Sequence, residues 1–179
     1  MIELTDDFKQ RAQDIKCVIF DVDGVLTDGK LFFDLKGNEY KSFHAQDGQG
    51  LKLLQQNGID VAIISGRSSP IVDRRMKNLG VTYVYQGQEN KTAAFNDLLS
   101  KLNIKPNQVA HVGDDLPDLA LMTRTRLAVA VQDANPSILP YCHGQTSRLG
   151  GQGAAREVCD SILTAQNKLT TAVQLFADT

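Results

Sequence analysis

Tryptophan is absent from this sequence of 179 residues, and aromatic residues make up only 6% of it. The core of the protein must therefore consist mainly of aliphatic side chains. No stretch approaches 18 uninterrupted apolar residues, so no membrane-spanning helix is predicted. The N-terminal segment is acidic and polar and lacks the basic start and apolar run of a signal peptide, which favours a cytoplasmic protein.

Cysteine is also scarce, and its three copies at Cys17, Cys142 and Cys159 form no C-x-x-C pair. This spacing argues against a disulfide framework and against a thiolate zinc site, and it suits a reducing cytosol. An excess of one charge is lacking too, because 19 basic and 21 acidic side chains leave a net charge of −2. We therefore expect neither a nucleic-acid partner nor a membrane partner bound through the overall field.

What the sequence does have is an ordinary globular composition, with 42% hydrophobic and 22% charged residues. The length predicts one domain over residues 1–179, with room for a small decoration and none for a second full-sized domain. A fold of this size buries roughly 70% of its extended-chain surface, which is enough for a core without metal or disulfide staples.

Short apolar runs alternate with helical patterns along the chain. Strands are predicted at residues 17–20, 61–64, 81–85, 109–112 and 127–131. Helices are predicted near the N-terminus after Thr5, from 47 to 56, and at 68–79, 90–102, 116–122 and 154–165. Repeated strand-helix units pair in parallel through right-handed crossovers. The sequence thus predicts an α/β fold with a Rossmann-like, doubly wound, mostly parallel sheet.

Two segments stand outside this alternation. Residues 30–33 and 39–43 flank a Gly/Asn turn, which predicts a β-hairpin insertion at about 30–43 that is too small to be a cap domain. A glycine-rich connection at 144–153 precedes a C-terminal helix and tail at about 154–179, and we expect this connection to be ordered at a subunit boundary.

Acidic and polar residues follow the predicted strands. Asp21 and Asp23 follow the first strand, Ser65 the second and Asp114 the fourth, while Lys91 opens the helix after the third. Ligands of such sheets bind at the carboxyl ends of the strands. Clustered acids repel one another unless a divalent cation neutralises them, and hard oxygen ligands suit Mg²⁺. A magnesium site is therefore predicted at this edge.

The same residues suit phosphoryl transfer. Asp21 can attack phosphorus, Asp23 can exchange the proton, Ser65 can donate a hydrogen bond to a phosphoryl oxygen, and Lys91 can offset charge. Taken singly, each has a structural interpretation as a turn residue or a solvated helix residue. Their occurrence in order at successive strand ends favours a site. His111, inside an apolar strand, is more typical of a hydrogen-bonded core histidine than of a ligand.

These motifs resemble those of the haloacid dehalogenase-like phosphatases over about residues 17–131. The matching segments are residues 21–25, 65–67, 91 and 113–118. The resemblance implies that Asp21 becomes an aspartyl-phosphate and that Asp23 is the general acid/base. It also implies metal ligation by Asp21, by the backbone carbonyl of Asp23 and by Asp114, with Asp118 as an outer-shell partner.

A closer resemblance, carried by residues 21–29, 42–48 and 150–157, is to the 3-deoxy-D-manno-octulosonate 8-phosphate (KDO 8-phosphate) phosphatase family. It implies Mg²⁺-dependent hydrolysis of this phosphorylated sugar acid in lipopolysaccharide biosynthesis. It further implies a homotetramer, assembled partly by the hairpin, in which a neighbouring subunit helps to close each active site. The implied substrate contacts are Asp23, His44, Ala45, Gln46, Asp47, Gly48, Lys52, Arg67, Arg75 and Lys91.

Three alternatives remain open from the sequence. A phosphatase of nine-carbon sialic-acid-type sugar phosphates would act on a substrate with the same carboxylate and terminal phosphate. A phosphoacceptor signalling domain would carry its acceptor on a middle strand, whereas the D-x-D pair here follows the first strand of the sheet. A non-catalytic regulatory copy of the fold would not be expected to keep all four motifs intact.

Overall fold

The structure of the protein is a computed structural model that describes residues 2–177. It contains a six-stranded parallel sheet and a separate two-stranded antiparallel hairpin. In chain order the strands are β1 (Cys17–Phe20), β2 (Phe32–Phe33), β3 (Glu39–Tyr40), β4 (Asp60–Ile64), β5 (Tyr83–Tyr85), β6 (Val109–Gly113), β7 (Leu127–Ala130) and β8 (Gly144–Gln145).

Seven α-helices flank the sheet within the described part of the chain. They are α1 (Asp6–Ala12), α2 (Ala45–Gln56), α3 (Pro70–Leu79), α4 (Lys91–Leu102), α5 (Leu119–Met122), α6 (Ala154–Ala165) and α7 (Leu169–Ala177). Local signals in the sequence set several of their ends. The Thr5 hydroxyl accepts a hydrogen bond from the Phe8 amide at the start of α1, and Gly80 adopts the left-handed conformation that ends α3.

The strand order is β5-β4-β1-β6-β7-β8. From β1 the chain adds β4 and β5 on one side, and it then adds β6, β7 and β8 on the other side, so the switch point lies between β1 and β6. Phe20 at the end of β1 is in register with Val112 of β6 and with Ile63 of β4. In open α/β sheets a crevice forms outside the carboxyl ends of the strands at this switch point. The residues that follow β1 and β6 are therefore placed side by side.

Both faces of the sheet are covered, because successive strand residues point to opposite sides. In β1, Val18 and Phe20 belong to one apolar cluster, and Cys17 and Ile19 belong to the other. Helices α1, α2, α3 and α6 contribute to the first cluster, and α4 contributes to the second. This arrangement confirms the predicted doubly wound fold.

The structure differs from the sequence prediction at two places. The connection at 144–153 contains the edge strand β8, a sixth strand that pairs in parallel with β7. It was missed because it has only two residues, Gly144 and Gln145, and no apolar run. The hairpin is present, but each of its strands has two residues, with Phe32 opposite Tyr40. The strands are short because the aromatic side chains of the hairpin are exposed, so that neither face of the hairpin packs against a core.

The C-terminal segment forms the helices α6 and α7, and the last part of the predicted tail, 178–179, lies outside the described residues. Within residues 2–177, none of the helices combines the length and the apolar character that a bilayer crossing requires.

Candidate active site

Three carboxylates meet at the switch point of the sheet. Asp21 follows β1 directly, and its backbone amide donates a hydrogen bond to the Val112 carbonyl of β6 at 3.1 Å. Asp114 follows β6, and Asp118 ends the 3₁₀ turn that comes next. One oxygen from each of these three carboxylates lies within 4.8 Å of the others. The structure thus brings together residues that are up to 97 positions apart in sequence, as Asp21 and Asp118 are.

Asp118 is the most tightly held of the three. Its Oδ1 atom is 2.7 Å from the Lys91 ammonium and 2.8 Å from His111 Nε2. Its Oδ2 atom accepts hydrogen bonds from the backbone amides of Asp114 and Asp115, at 3.0 and 3.3 Å. Because both oxygens are occupied by protein donors, this carboxylate is suited to orienting its neighbours, as outer-shell groups do at metal sites.

Lys91 joins the carboxylates from the start of α4. Its side chain is 1% exposed, and its ammonium lies 3.1 Å from Asp21 Oδ1 as well as 2.7 Å from Asp118 Oδ1. Burial opposes its charge, but the charges of Asp118 and Asp21 outweigh this effect and raise the pKa of Lys91. Lys91 is therefore a fixed positive charge at the bottom of the site.

Their surroundings give the three carboxyl groups different pKa values. Burial, reinforced by the Asp118 charge, raises the pKa of Asp21 to about 6. Burial and the charges of Asp118 and Asp21 raise the pKa of Asp114 to about 8. Burial acts in the same sense on Asp118, but the His111 hydrogen bond and Lys91 hold the pKa of Asp118 well below its usual range.

The residues present fit a hard divalent cation. Ionised Asp21 and Asp114 repel each other and Asp118, and a cation such as Mg²⁺ would relieve this repulsion through oxygen ligands. Gly24 has a φ angle of 89°, and a Cβ atom at this position would overlap the Asp114 carboxylate. A glycine is therefore required for the loop after β1 to approach Asp114 this closely.

A family model described as haloacid dehalogenase-like hydrolase matches residues 47–123. The chain is 47% identical over 172 residues to the 3-deoxy-D-manno-octulosonate 8-phosphate phosphatase of Yersinia pestis. The aligned segment covers 96% of this chain and 92% of that protein. The Escherichia coli K12 protein of the same name is 48% identical over 166 residues, or 93% and 88% of the two chains. The chain belongs to the 3-deoxy-D-manno-octulosonate 8-phosphate phosphatase family.

Solved structures of such phosphatases share the fold. The Moraxella catarrhalis enzyme, solved in complex with magnesium ion, phosphate ion and KDO, superposes with a TM-score of 0.91 at 42% identity, covering 94% of this chain and 97% of that one. The cobalt-bound Haemophilus influenzae enzyme gives a TM-score of 0.87 at 42% identity, covering 90% and 95%. This chain is accordingly a phosphoric monoester hydrolase.

The other predicted site residues differ in their exposure and in their contacts. Ser65 follows β4 and is 3% exposed. Asp23 lies beside Arg67, which also follows β4, and the Asp23 Oδ2 atom is 3.6 Å from Arg67 Nε. Arg75 lies farther along α3 with its guanidinium carbon 5.8 Å from the centre of the Phe43 ring.

The predicted substrate contacts at the start of α2 are mixed in character. His44 is partly buried at the cap position of the helix, Ala45 and Gln46 are exposed, and Lys52 is exposed one to two turns later. Gly48 lies so close to Arg75 that a Cβ atom at position 48 would overlap the Arg75 guanidinium.

Asp47, predicted as a substrate contact, also has a structural role. The residue is 2% exposed, and its carboxylate oxygens accept hydrogen bonds from the backbone amides of Arg156 at 2.8 Å and Gly153 at 3.3 Å. The carboxylate therefore caps the N-terminus of α6.

The glycine-rich segment packs against the loop after β1 of the same chain. The Gly151 amide donates to the Val25 carbonyl at 2.9 Å, and the Gly150 amide donates to Asp133 Oδ1 at 2.9 Å. A Cβ atom at Gly150 would overlap the Gly24 carbonyl oxygen. The segment therefore supports the loop that carries Asp23.

Two charged residues beside the site, Lys41 and Glu39, were missed. Lys41 pairs with Asp23, and Glu39 accepts a hydrogen bond from Arg67 Nη2 at 2.7 Å. The signal that could have found them is the alternation in the second hairpin strand, which places Glu39 and Lys41 on one face. His111, predicted as a hydrogen-bonded core histidine, is fully buried as expected and bonds to Asp118.

The raised pKa of Asp114 leads to a prediction about the metal-free protein. The folded chain binds this proton more tightly than the unfolded chain, so the stability linked to Asp114 is lost as pH rises from about 4 to about 8. Asp114→Asn cannot ionise, and we expect it to raise the melting temperature by about 4 °C at pH 8 and by less at pH 5.

Thermal unfolding in EDTA at both pH values measures this effect. Added Mg²⁺ at pH 8 should then stabilise the wild type and not the variant, which reverses their order. A variant that is less stable than the wild type at pH 8 in EDTA would contradict the proposed repulsion.

Proposed function

We propose that this protein hydrolyses 3-deoxy-D-manno-octulosonate 8-phosphate to KDO and phosphate, in a Mg²⁺-dependent reaction through an aspartyl-phosphate on Asp21. The observation that carries the proposal is the meeting of Asp21, Asp114, Asp118 and Lys91 at the switch point of the sheet. The names of the Yersinia pestis and Escherichia coli relatives support the substrate, as does the KDO bound to the Moraxella catarrhalis structure.

In the first half-reaction Asp21 attacks the phosphorus atom, and the bond between phosphorus and the sugar oxygen breaks. Asp23 donates a proton to that leaving oxygen. Ser65 donates a hydrogen bond to a phosphoryl oxygen, and the Lys91 ammonium offsets the charge that gathers on the phosphoryl group. Lys91 suits this role because it is buried and already lies against Asp21.

In the second half-reaction a water molecule attacks the phosphorus atom of the aspartyl-phosphate. Asp23 takes the proton of this water, the bond to Asp21 breaks, and inorganic phosphate leaves. Asp21, the Asp23 backbone carbonyl and Asp114 would hold Mg²⁺, which supplies neutralisation of charge on the carboxylates and the phosphoryl oxygens. Asp118 would keep Asp114 and Lys91 in place through its four contacts.

Specificity for a sugar acid requires cations beyond those that serve the phosphoryl group. Arg67 lies beside Asp23 and is 45% exposed, so it can form a forked pair with a substrate carboxylate or phosphate. We propose further substrate contacts by Arg75, by Lys52 and by the segment from His44 to Gly48. Within that segment Asp47 contributes only through the position of its helix.

We propose assembly into a tetramer, and the exposed surface of the hairpin supports this proposal. The hairpin exposes an unusual concentration of large apolar side chains for so small an element: Leu31, Phe32, Phe33, Leu35 and Tyr40. Exposed apolar patches of this kind are typical of protein interfaces. We propose that neighbouring copies of the chain cover this surface.

We also propose that each chain is one catalytic domain without a large cap. The enzyme would serve lipopolysaccharide biosynthesis in the cytoplasm.

The direct test is phosphate release from 3-deoxy-D-manno-octulosonate 8-phosphate at pH 7 with Mg²⁺ and with EDTA. We expect multiple turnovers with Mg²⁺ and a loss of at least about 100-fold in EDTA, because the carboxylates would be left to repel both one another and the phosphate. Undiminished turnover in EDTA would contradict the proposed metal dependence. No release under either condition would contradict the proposed activity.

A further inference from the structure

A buried lysine of the hairpin contacts the proposed acid/base. The Lys41 side chain is 1% exposed, and its ammonium pairs with Asp23 Oδ1 and lies 3.4 Å from Glu39 Oε1. Glu39 also accepts a hydrogen bond from Arg67 Nη2 at 2.7 Å, and Arg67 Nε lies 3.6 Å from Asp23 Oδ2. Asp23, Lys41, Glu39 and Arg67 thus form a closed ring of alternating charge, the hairpin ring.

The burial of Lys41 makes this ring more than a surface ion pair. Exposed pairs contribute little to stability, whereas a lysine ammonium taken out of water must be compensated by opposite charges. Lys41 has two such partners, Asp23 and Glu39. Because a cation faces each oxygen of Asp23, the rotation of this carboxylate is fixed from two sides.

We propose that Lys41 is a positioning residue for Asp23 and that Glu39 holds Lys41 and Arg67 in place for the same purpose. This inference rests on the proposed function, since it requires Asp23 to take part in the reaction. An acid/base works only when its carboxylate is held within about 0.5 Å of the productive position. The loop after β1 anchors the backbone of Asp23, and the hairpin ring anchors its side chain.

The ring also gives the hairpin a role within its own chain. Without Lys41, Asp23 would be left with Arg67 alone, which is 45% exposed and 3.6 Å away. The carboxylate would then sample other orientations, and fewer encounters would place it at the leaving oxygen. The chemical step would slow, while the groups that hold the phosphate would remain in place.

The test compares Lys41→Met, which removes the charge and keeps the length of the side chain, with Lys41→Arg, which keeps the charge. Lys9→Met is the control, because Lys9 is 49% exposed on α1, outside the hairpin and the site. On 3-deoxy-D-manno-octulosonate 8-phosphate with Mg²⁺, we expect Lys41→Met to lower kcat by about 10–100-fold with KM within about 3-fold. Lys41→Arg should recover much of the loss, and Lys9→Met should match the wild type.

A double-mutant cycle separates positioning from a structural role. If Lys41 acts through Asp23, Lys41→Met should have no further effect in the Asp23→Asn background, whereas general damage to the site would lower both rates equally. Should Lys41→Met fail to fold, Glu39→Gln provides the same cycle, with an expected loss of about 3–10-fold that Asp23→Asn cancels.

The outcomes distinguish this inference from the proposed function. Wild-type kcat in Lys41→Met, or equal losses in both backgrounds, overturns the positioning role alone when Asp23→Asn is itself strongly impaired. Wild-type activity in Asp23→Asn overturns the proposed acid/base, and the positioning role falls with it.

Discussion

Asp21→Asn is expected to abolish turnover, with a loss on the order of 10⁴-fold or more. The amide is nearly the same size as the carboxylate, but it is not a nucleophile and cannot form the acyl-phosphate. Phosphate release measures the loss, and intact-protein mass after an acid quench should show a phosphorylated species in the wild type and none in the variant. Asp115→Asn is the matched control, since Asp115 is exposed and its Oδ1 atom bonds to Asn135. It should remain within a few-fold of the wild type.

The loss in Asp21→Asn should be chemical and not structural. Burial raises the pKa of Asp21 to about 6, so this carboxylate is costly to ionise in the metal-free fold. Its replacement by a neutral amide should therefore leave the melting temperature in EDTA unchanged or higher. Turnover near the wild-type rate would contradict the covalent mechanism, whatever the stability of the variant.

Gly150→Ala is expected to have the second-largest effect, although Gly150 is far from the carboxylates in sequence. A Cβ atom at position 150 would overlap the carbonyl oxygen of Gly24, a backbone atom that cannot rotate away. Either the glycine-rich segment or the loop that carries Asp23 must then move. We expect kcat/KM to fall on the order of 100-fold and the free energy of unfolding to fall by about 2–3 kcal/mol.

Gly80→Ala provides the control for Gly150→Ala. Gly80 ends α3 in the left-handed conformation, with φ at 71° and no atom within 4 Å of an added Cβ. It lies before the amino-terminal end of β5, whereas the site lies at the carboxyl ends of the strands. The substitution should cost about 1 kcal/mol of stability through backbone strain alone, with kcat/KM unchanged. If both variants lost activity in proportion to stability, the support that Gly150 gives to the loop would not be specific to catalysis.

The meeting of Asp21 and Asp114 could be predicted from the sequence, because the strand periodicity is a local signal with a geometric consequence. Once the apolar runs before Asp21 and Asp114 are recognised as parallel strands, the residues after them must share one edge of the sheet. The same reasoning placed Ser65 and Lys91. These residues are specified by where a strand ends or a helix begins, and no distant contact is needed to locate them.

Long-range contacts account for what the sequence did not reveal. The amides that Asp47 caps, at Gly153 and Arg156, are more than 100 positions away. Lys41 is 18 positions from Asp23, and the pairing depends on how the hairpin folds back on the loop. Strand β8 is visible only through its pairing with β7. None of these contacts follows from the hydrophobic pattern, because each is set by tertiary packing between polar or glycine-rich segments.

The relative kcat/KM with Mg²⁺ on three classes of phosphate ester decides which substrate this protein hydrolyses. These are 3-deoxy-D-manno-octulosonate 8-phosphate, a nine-carbon sialic-acid-type sugar phosphate, and simple sugar phosphates that lack a carboxylate. We expect kcat/KM on the eight-carbon acid to exceed that on the simple sugars by at least about 100-fold, because a simple sugar offers Arg67 and Arg75 no substrate carboxylate to bind. We expect it to exceed kcat/KM on the nine-carbon acid by about 10-fold or more. Equal kcat/KM values across the three classes, or a preference for the nine-carbon acid, would contradict the proposed substrate.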